Sequence, residues 1–345
     1  MSRCWLEISR SRIRANIDMI RSRIPDDAEI IAVVKANAYG LGIGNILPVL
    51  LDYGIHHFAV ATLEEAIELR SRSVEDPILV MGGCLEGEEL DFQKYDLTAS
   101  VFSSESVPKQ GIRVELEVDT GMTRLGIPWN RVSGFVKDHE LHLEGVYSQF
   151  ASADADPGFS RLQLKRFEEA TADLPCPRHM CSTPALAFPE AYLDRARVGL
   201  ALYGIGSPSI QGELQPAVTW KTRVLAVNEV PAGRVIGYGG TFSTQHGSRI
   251  AVLPVGYADG FSRALSNCGR VLVGDRLAPV VGRVSMDFTT VDVTELPVQV
   301  GDPVTLMDAD SASPIGPHEL ARLHDTIAYE VLTSIGSRVR RVVVD

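Results

Sequence analysis

A lysine at the end of an apolar run is the first residue in this sequence that could carry chemistry. Lys35 follows Ile-Ile-Ala-Val-Val at residues 30–34, and this run predicts a buried β-strand. In apolar surroundings a lysine amine can have a lowered pKa, and the neutral amine can then attack a carbonyl carbon. Tyr39 stands ahead of a glycine-rich turn, where its hydroxyl could reach a phosphate. The alternative is a solvated lysine at a strand end.

The composition is that of an ordinary globular protein with an acidic balance. The chain has 345 residues, with 33 Lys and Arg against 44 Asp and Glu and a net charge of -11. Nucleic acids and anionic membranes favour basic surfaces, so we expect neither as a partner. No apolar run approaches the ~20 residues of a membrane span, and the charged N-terminus does not resemble a signal peptide. We therefore expect a cytoplasmic location.

The cysteines argue against a metal site. Five of them occur at irregular spacing, and no two form a C-x-x-C pair. We expect reduced thiols and no bound metal.

The elements that must position Lys35 alternate in type along the first part of the chain. Eight short runs are predicted to be strands, at residues 30–34, 57–61, 78–81, 97–102, 113–118, 143–149, 178–182 and 198–203. Helical periodicity lies between most of them, for example at 43–51, 63–70 and 160–174. Eight such units predict an α/β fold with a closed (β/α)₈ barrel of the TIM type, in which chemistry occurs at the C-terminal ends of the strands. Because residues 102 and 113 are so close, the fourth crossover helix is predicted to be reduced to a turn.

After about residue 216 the pattern changes to short strands separated by Gly, Pro and Asp. Strands are predicted at 218–229, 249–254, 270–273, 279–284, 289–293 and 303–307, and helices at 317–323 and 328–335. We therefore predict two domains, a barrel over residues 1–215 and a mainly-β domain over residues 216–345. The opening residues of the chain are free to pack against the second domain.

Six segments resemble motifs of the bacterial alanine racemase family, in the family's order. They are VVKANAYG at 33–40, VDTGMTRLG at 118–126, RVGLALYG at 197–204, GYADG at 256–260, GRVSMD at 282–287 and YE at 329–330. The first resembles the attachment motif for pyridoxal phosphate (PLP). One eight-residue match could arise by chance, whereas six in order across both predicted domains form a specific signal.

The resemblance implies a PLP-dependent amino-acid racemase with two bases. Lys35 would hold PLP covalently and act as the base for the D-enantiomer, and Tyr257 would act for the L-enantiomer. Two bases are the simplest way to remove the α-proton from one face and return it to the other. Arg197 would face the pyridine nitrogen; because an arginine cannot accept a proton there, the ring would be a weaker electron sink. That choice argues against a decarboxylase or a transaminase.

The resemblance also implies how cofactor and substrate are held. The phosphate contacts would be Tyr39, Thr183, the backbone amides of Gly199 and Leu200, and Tyr329. The substrate carboxylate would bind Arg124 and the backbone N–H of Met286, with Asp287 as a supporting neighbour. In this family the Tyr257 and Met286 loops reach the partner's active site, so the resemblance implies a head-to-tail homodimer.

The sequence departs from the family pattern at four places. Leu41 and Gln149 stand where histidines are usual, and residues 181–183 read Cys-Ser-Thr in place of Ala-Asn-Ser. Glu117 stands where many members carry a lysine modified to a carbamate. Glu117 already has a negative charge, so we expect it to orient Arg124 without carbon dioxide. The alternative is a solvated carboxylate at the barrel rim.

The function predicted from these residues is that of an alanine racemase that supplies D-alanine for peptidoglycan. One alternative is a broader racemase that accepts serine, which the changes at Gln149 and around Cys181 favour and the bulky Tyr329 disfavours. The other alternative is a non-catalytic PLP-binding protein. Related barrel proteins of that kind lack a second domain, so the presence of Tyr257 argues against it.

Overall fold

Eight parallel strands close into a barrel in the computed structural model, which describes residues 2–109, 111–308, 310 and 313–345. The first strand of the chain, β1 (Cys4–Ser9), lies outside this barrel, and a short strand, β7 (Ile127–Pro128), pairs in parallel with the end of β6. The barrel strands are β2 (Glu29–Val33), β3 (Phe58–Val60), β4 (Ile78–Val80), β5 (Thr98–Val101), β6 (Arg113–Asp119), β8 (Leu143–Tyr147), β9 (Arg178–Ser182) and β10 (Arg195–Val198). Their spatial order is β5-β4-β3-β2-β10-β9-β8-β6, and the pairing of β5 with β6 closes the ring. The predicted (β/α)₈ barrel is confirmed.

Helices cover most of the crossovers between these strands. They are α1 (Arg10–Arg23), α2 (Lys35–Tyr39), α3 (Ile43–Asp52), α4 (Leu63–Ser71), α5 (Glu89–Lys94), α6 (Val132–Asp138) and α7 (Pro157–Thr171), with α8 (Pro317–His324) and α9 (Ala328–Thr333) late in the chain. The start of α7 follows from its sequence, because the Asp156 side chain accepts the Phe159 N–H and proline occupies the first turn. In its described residues, 102–109 and 111–112, the fourth crossover holds only a 3₁₀ turn at Ser104–Ser106, as predicted. None of the described helices is both long and apolar enough to cross a membrane.

The eighth barrel strand was predicted at the wrong place. The strand is β10, Arg195–Val198, whereas Leu200–Tyr203 forms a 3₁₀ turn. Leu200–Tyr203 is apolar and fully buried, and a short buried apolar run fits a strand and a helical turn equally well. Gly204, with φ +86°, ends the turn, and a Cβ there would lie 2.0 Å from the carbonyl oxygen of Gln215. The other seven strands agree with their predicted bounds to within two residues.

The remainder of the chain is mainly β-structure, as predicted. Its strands are β11 (Val218–Arg223), β12 (Ala226–Val230), β13 (Val235–Ile236), β14 (Phe242–Ser243), β15 (Ser248–Leu253), β16 (Arg270–Val273), β17 (Arg276–Pro279), β18 (Thr289–Asp292), β19 (Pro303–Asp308) and β20 (Arg340–Val344). They form a six-stranded sheet, β17-β16-β19-β11-β1-β20, a three-stranded sheet, β12-β15-β18, and the pair β13-β14. Strand β1 pairs antiparallel with β11 and parallel with β20, so the opening residues belong to this sheet.

Two predicted strands of this region were wrong in detail. The run 218–229 is two strands, because the chain leaves the six-stranded sheet after Arg223 and enters the three-stranded sheet. The run 279–284 is not a strand: only Pro279 belongs to one, and Val280 makes an isolated bridge to Val291. Gly282 has φ +77°, and a Cβ at that position would lie 2.7 Å from the Ile236 carbonyl oxygen. This left-handed conformation ends regular strand pairing.

Candidate active site

A cavity of about 560 Å³ opens at the C-terminal ends of the barrel strands. Barrels of this type carry their active sites at that end. Nine of the residues singled out from the sequence line it: Lys35, Tyr39, Glu117, Arg124, Gln149, Thr183, Arg197, Gly199 and Tyr329. Leu200 follows Gly199 and is fully buried. Residues that are far apart in the sequence therefore line one cavity.

Lys35 lies immediately after β2 and is half-buried on the wall of the cavity. Burial lowers the pKa of its amine, and the positive charge of Arg124 lowers this pKa further, while Glu65 opposes the shift. A lowered pKa increases the fraction of neutral amine, which is the form that attacks a carbonyl carbon. Burial of Lys35 at the end of an apolar strand thus lowers the pKa of its amine, in the direction expected from the sequence.

An anion cradle lies next to Lys35, between the turns after β9 and β10. The Thr183 Oγ1 accepts hydrogen bonds from the backbone N–H groups of Gly199 and Ala201, each at 3.3 Å. A Cβ at position 199 would lie 2.3 Å from the Tyr39 hydroxyl oxygen, so this close approach requires glycine. Burial raises the pKa of Tyr39, which keeps its hydroxyl a donor. The cradle fits the phosphate group of PLP.

Tyr329 completes this end of the cavity from α9. Its ring makes an edge-to-face contact with Tyr39, with ring centroids 6.0 Å apart. Burial raises the pKa of Tyr329 to about 12, so it too keeps a hydroxyl proton to donate.

Arg197 projects from β10, and its two terminal nitrogens make four hydrogen bonds to three residues. Its Nη1 donates to the Nδ1 of His179 at 2.7 Å and to the His179 carbonyl oxygen at 3.1 Å. Its Nη2 donates to the Ser148 carbonyl oxygen at 2.7 Å and to Gln149 Oε1 at 3.1 Å. Among the described residues the Nε–H is the guanidinium donor without a protein acceptor. That donor fits an aromatic ring nitrogen at the wall of the cavity.

His179 and Glu115 support Arg197, and the sequence analysis missed both as site residues. The Nδ1 of His179 faces Arg197, so the ring proton is on Nε2, which donates to Glu115 Oε2 at 2.8 Å. Burial lowers the pKa of His179 to about 4, against the opposing effect of Glu115. Burial by itself would raise the pKa of Glu115, but His179 and Arg195 outweigh it and lower that pKa to about 2. A neutral imidazole and an ionised carboxylate thus hold the guanidinium.

A signal for these two residues was present in the sequence. Glu115 lies between Val114 and Leu116 in β6, and His179 precedes Met180 in β9; an ionisable group in a buried strand needs a partner. Both side chains are fully buried. Their pairing with each other, however, depends on the barrel, because the strands β6 and β9 are not adjacent.

Glu117 is buried and accepts a hydrogen bond from the Tyr147 hydroxyl at 3.2 Å. The same hydroxyl lies 2.6 Å from Ser100 Oγ, and the Arg197 guanidinium lies 4.7 Å from the centre of the Tyr147 ring. Burial raises the pKa of Glu117, and Arg197 opposes that shift more strongly than Arg124 does. In the described part of the chain Glu117 therefore bonds to Tyr147, and it acts on Arg124 only through its charge.

Tyr257, Met286 and Asp287 do not line this cavity. Tyr257 is 44% exposed and Met286 is 52% exposed, and their loops pair through Tyr257 N–H to the Ser285 carbonyl oxygen at 3.1 Å. Asp287 forms an ion pair with Arg338 at 2.8 Å. The cavity of a single chain therefore contains one of the two predicted bases, Lys35, and lacks the other.

The described residues include no cluster of three or more His, Cys, Asp or Glu side chains that could hold a metal ion. The cavity itself presents an amine beside an anion cradle, with an arginine placed to meet a ring nitrogen. A (β/α)₈ barrel with these groups at the C-terminal ends of its strands is a PLP-dependent enzyme.

Comparison with known proteins identifies the family. Residues 8–208 match the alanine racemase N-terminal domain and residues 217–343 match the alanine racemase C-terminal domain. The chain is 38% identical to the alanine racemase of Halothermothrix orenii over 363 residues, covering 98% of this chain and 96% of that protein. We conclude that the chain belongs to the alanine racemase family, which uses PLP.

Solved structures agree with this assignment. The alanine racemase from D-cycloserine-producing Streptomyces lavendulae superposes with a TM-score of 0.92 at 31% identity, covering 100% of this chain and 98% of that one. The alanine racemase from Bartonella henselae with covalently bound pyridoxal phosphate gives a TM-score of 0.90 at 29% identity, with 100% of both chains covered.

Proposed function

We propose that this protein interconverts L-alanine and D-alanine with PLP bound at the mouth of the barrel. The observation that carries the proposal is the presence of Lys35 and Arg197 on the wall of one cavity. Lys35 supplies an amine whose pKa burial lowers, and Arg197 supplies a donor that cannot take up a proton. The 38% sequence identity with an alanine racemase over 98% of this chain supports alanine as the substrate.

The proposed cofactor contacts use the residues around the anion cradle. Tyr39, Tyr329 and Thr183 would donate hydroxyl protons to the phosphate, and the Leu200 amide would donate from the backbone. The Gly199 N–H, which bonds to Thr183 Oγ1 at 3.3 Å, would turn to the phosphate. Lys35 would hold PLP covalently through Nζ. Bound PLP supplies an electron sink that acidifies the α-C–H bond of the substrate.

The proposed proton transfers use one base on each face of the substrate. The Lys35 Nζ would exchange the α-proton on the face that yields D-alanine. The phenol oxygen of Tyr257 exchanges it on the opposite face. A neutral phenol is a weak base, so Tyr257 needs a cationic or hydrogen-bonding neighbour to accept the proton.

Arg197 favours racemisation over the other reactions of this cofactor. A carboxylate facing the ring nitrogen would hold a proton there and make the ring a strong electron sink, which suits decarboxylation and transamination. A guanidinium leaves the nitrogen unprotonated, because it has no acceptor. Arg197 is fixed by the neutral His179, so the folded barrel would present a guanidinium, and not a carboxylate, to the ring nitrogen.

The second base in this proposal comes from a second copy of the chain. Tyr257 and Met286 lie on exposed loops away from the cavity that contains Lys35. In a head-to-tail homodimer, these loops would enter the partner's cavity, where the Met286 N–H and Arg124 would bind the substrate carboxylate. We also propose a domain boundary between residues 215 and 216. The barrel would hold the cofactor, and the second domain would carry the Tyr257 and Met286 loops.

We place the reaction in the cytoplasm, where D-alanine would be supplied for peptidoglycan. A broader racemase that accepts serine is the second candidate, motivated by Gln149 and by the fully buried Cys181 beside the cavity residue Ser182. The Tyr329 ring occupies space at the cavity wall and favours the smaller alanine side chain.

Deuterium exchange tests the proposal directly. Purified protein with added PLP is incubated with L-alanine or L-serine in deuterium oxide, and D-product and α-deuterium are measured by chiral chromatography and mass spectrometry. We expect D-alanine formation with deuterium at the α-carbon and slower turnover of serine. PLP binding without exchange would contradict the enzyme and favour a PLP carrier, and faster serine turnover would favour the broader racemase.

The charge of Glu117 is expected to matter for substrate binding. Glu117→Gln keeps the shape of the side chain and removes a negative charge near the two guanidinium groups of Arg197 and Arg124. We expect a severalfold rise in KM for alanine, with rates that do not respond to added bicarbonate, measured in a steady-state racemisation assay. Wild-type kinetics in the variant would remove the proposed role of Glu117.

A further inference from the structure

The segment that follows Lys35 has a backbone conformation that needs external support. Ala36, Asn37, Ala38 and Tyr39 all have positive φ, between +52° and +55°, so α2 contains one turn of left-handed helix. In this conformation the Cβ of an L-residue crowds the following carbonyl oxygen, and such backbone persists only where its surroundings hold it. Four consecutive non-glycine residues are involved, immediately beside the amine that the cofactor needs.

The end of this turn is held by the second domain. The Arg341 guanidinium donates to the Gly40 carbonyl oxygen through Nε at 2.9 Å and through Nη2 at 2.6 Å. Inside the turn, the Ala38 N–H donates to the Val34 carbonyl oxygen at 2.8 Å. These contacts use backbone carbonyl groups as acceptors, so they do not depend on the type of any side chain within the turn.

The start of the turn is held by one carboxylate. Glu65 Oε1 accepts the Ala36 N–H at 2.5 Å, and Glu65 Oε2 accepts the Ala61 N–H at 2.8 Å. Glu65 itself is fixed in the first turn of α4, where Thr62 caps the helix by accepting the Glu65 N–H. The carboxylate therefore ties the loop after β2 to the loop after β3, at the mouth of the barrel.

We propose that Glu65 is a positioning residue for Lys35, because its carboxylate holds the first amide of the left-handed turn and so aims the Lys35 amine into the cavity. This inference rests on the proposed function, in which that amine binds PLP. Both oxygens of Glu65 are engaged by N–H donors, and hydrogen bonds to an ionised group are the stronger ones. Its charge also acts on the Lys35 amine, whose pKa it raises against Arg124 and Arg197.

The test compares Glu65→Gln with Glu64→Gln. The glutamine amide can accept one N–H, but its NH₂ group then faces the second N–H, so one hydrogen bond is lost and a donor is left unpaired. Glu64 lies in the same turn of α4 and is exposed, so the control removes the same charge from the same helix end. Melting temperatures verify that each variant folds.

Three measurements are made on the full chain. In the apo protein we expect amide hydrogen exchange in residues 35–42 to be at least ~10-fold faster in Glu65→Gln than in wild type. In the same protein we expect a lower apparent pKa of the Lys35 amine, read from the pH dependence of its acylation. We expect the dissociation constant for added PLP to rise by ~10-fold to ~100-fold. In Glu64→Gln the exchange rate and the dissociation constant should stay within about twofold of wild type, and the apparent pKa of the Lys35 amine should be unchanged.

Several results would overturn the proposal. One is a Glu65→Gln protein with wild-type exchange and PLP affinity, and another is faster exchange with unchanged PLP affinity and Lys35 pKa, which would make Glu65 merely structural. If Glu65→Gln does not fold, Glu65→Asp takes its place, since the shorter side chain keeps the charge but cannot reach both amides. Failure of the wild-type protein to bind PLP would contradict the proposed function instead, because the apo measurements on residues 35–42 do not need the cofactor.

Discussion

Lys35→Ala is expected to abolish covalent attachment of PLP and to lower kcat/KM for alanine by at least ~10³-fold. Among the described residues, Lys35 is the one lysine on the wall of the cavity. An alanine side chain at position 35 offers neither a nucleophile for the cofactor nor a base for the α-proton of the substrate. Borohydride reduction followed by mass spectrometry of the peptide around residue 35 measures the attachment. Chiral chromatography measures the rate.

The control for this variant is Lys165→Ala. Lys165 is 72% exposed on α7 and lies 3.8 Å from Glu169, so its loss removes a surface amine only. We expect wild-type attachment and rate in that protein. Covalent PLP on Lys35→Ala would show that another residue carries the cofactor.

Tyr257→Phe is expected to keep PLP binding and to lower racemisation by ~10²–10⁴-fold, the range typical for loss of an acid–base group. The substitution removes only the phenol oxygen from a side chain that is 44% exposed, so the fold should be unaffected. Cofactor absorbance and steady-state rates in both directions measure the two effects. Unimpaired racemisation would exclude Tyr257 as the second base.

Mixing the two variants tests whether the second base comes from another copy of the chain. A heterodimer of Lys35→Ala and Tyr257→Phe chains would contain one site with both bases intact. Random assembly makes half of the dimers hybrid, so co-expressed variants should recover about a quarter of wild-type activity. No recovery, in a mixture shown to contain heterodimers, would place both bases in one chain.

Much of this architecture could be predicted from local patterns. The strand before Lys35, the alternation of strands and helices, and the shortened fourth crossover all follow from periodicity and spacing. The family resemblance then brought distant residues such as Arg124 and Arg197 into one predicted site, and both line the cavity.

Other features could not be predicted, because they depend on contacts between distant segments. The run at 200–203 is a buried turn and not the eighth strand, since its apolar residues satisfy burial in either form. The sequence led us to expect that Glu117 orients Arg124, whereas the hydrogen bond to the Glu117 carboxylate comes from Tyr147 on the neighbouring strand β8. No local pattern in the sequence specifies which hydroxyl meets a buried carboxylate.

The sequence by itself determined the chemistry available to this protein. It supplies the amine of Lys35 after a buried strand, the guanidinium of Arg197 and the phenol of Tyr257 far along the chain. Only the tertiary structure decided how these groups act. Closing the barrel buries Lys35 and lowers its pKa, pairs Glu115 with His179 behind Arg197, and leaves Tyr257 outside the cavity. The physical reason is that residue type sets the charge and hydrogen-bonding capacity of a group, whereas its pKa and partners depend on the desolvation and neighbours that folding supplies.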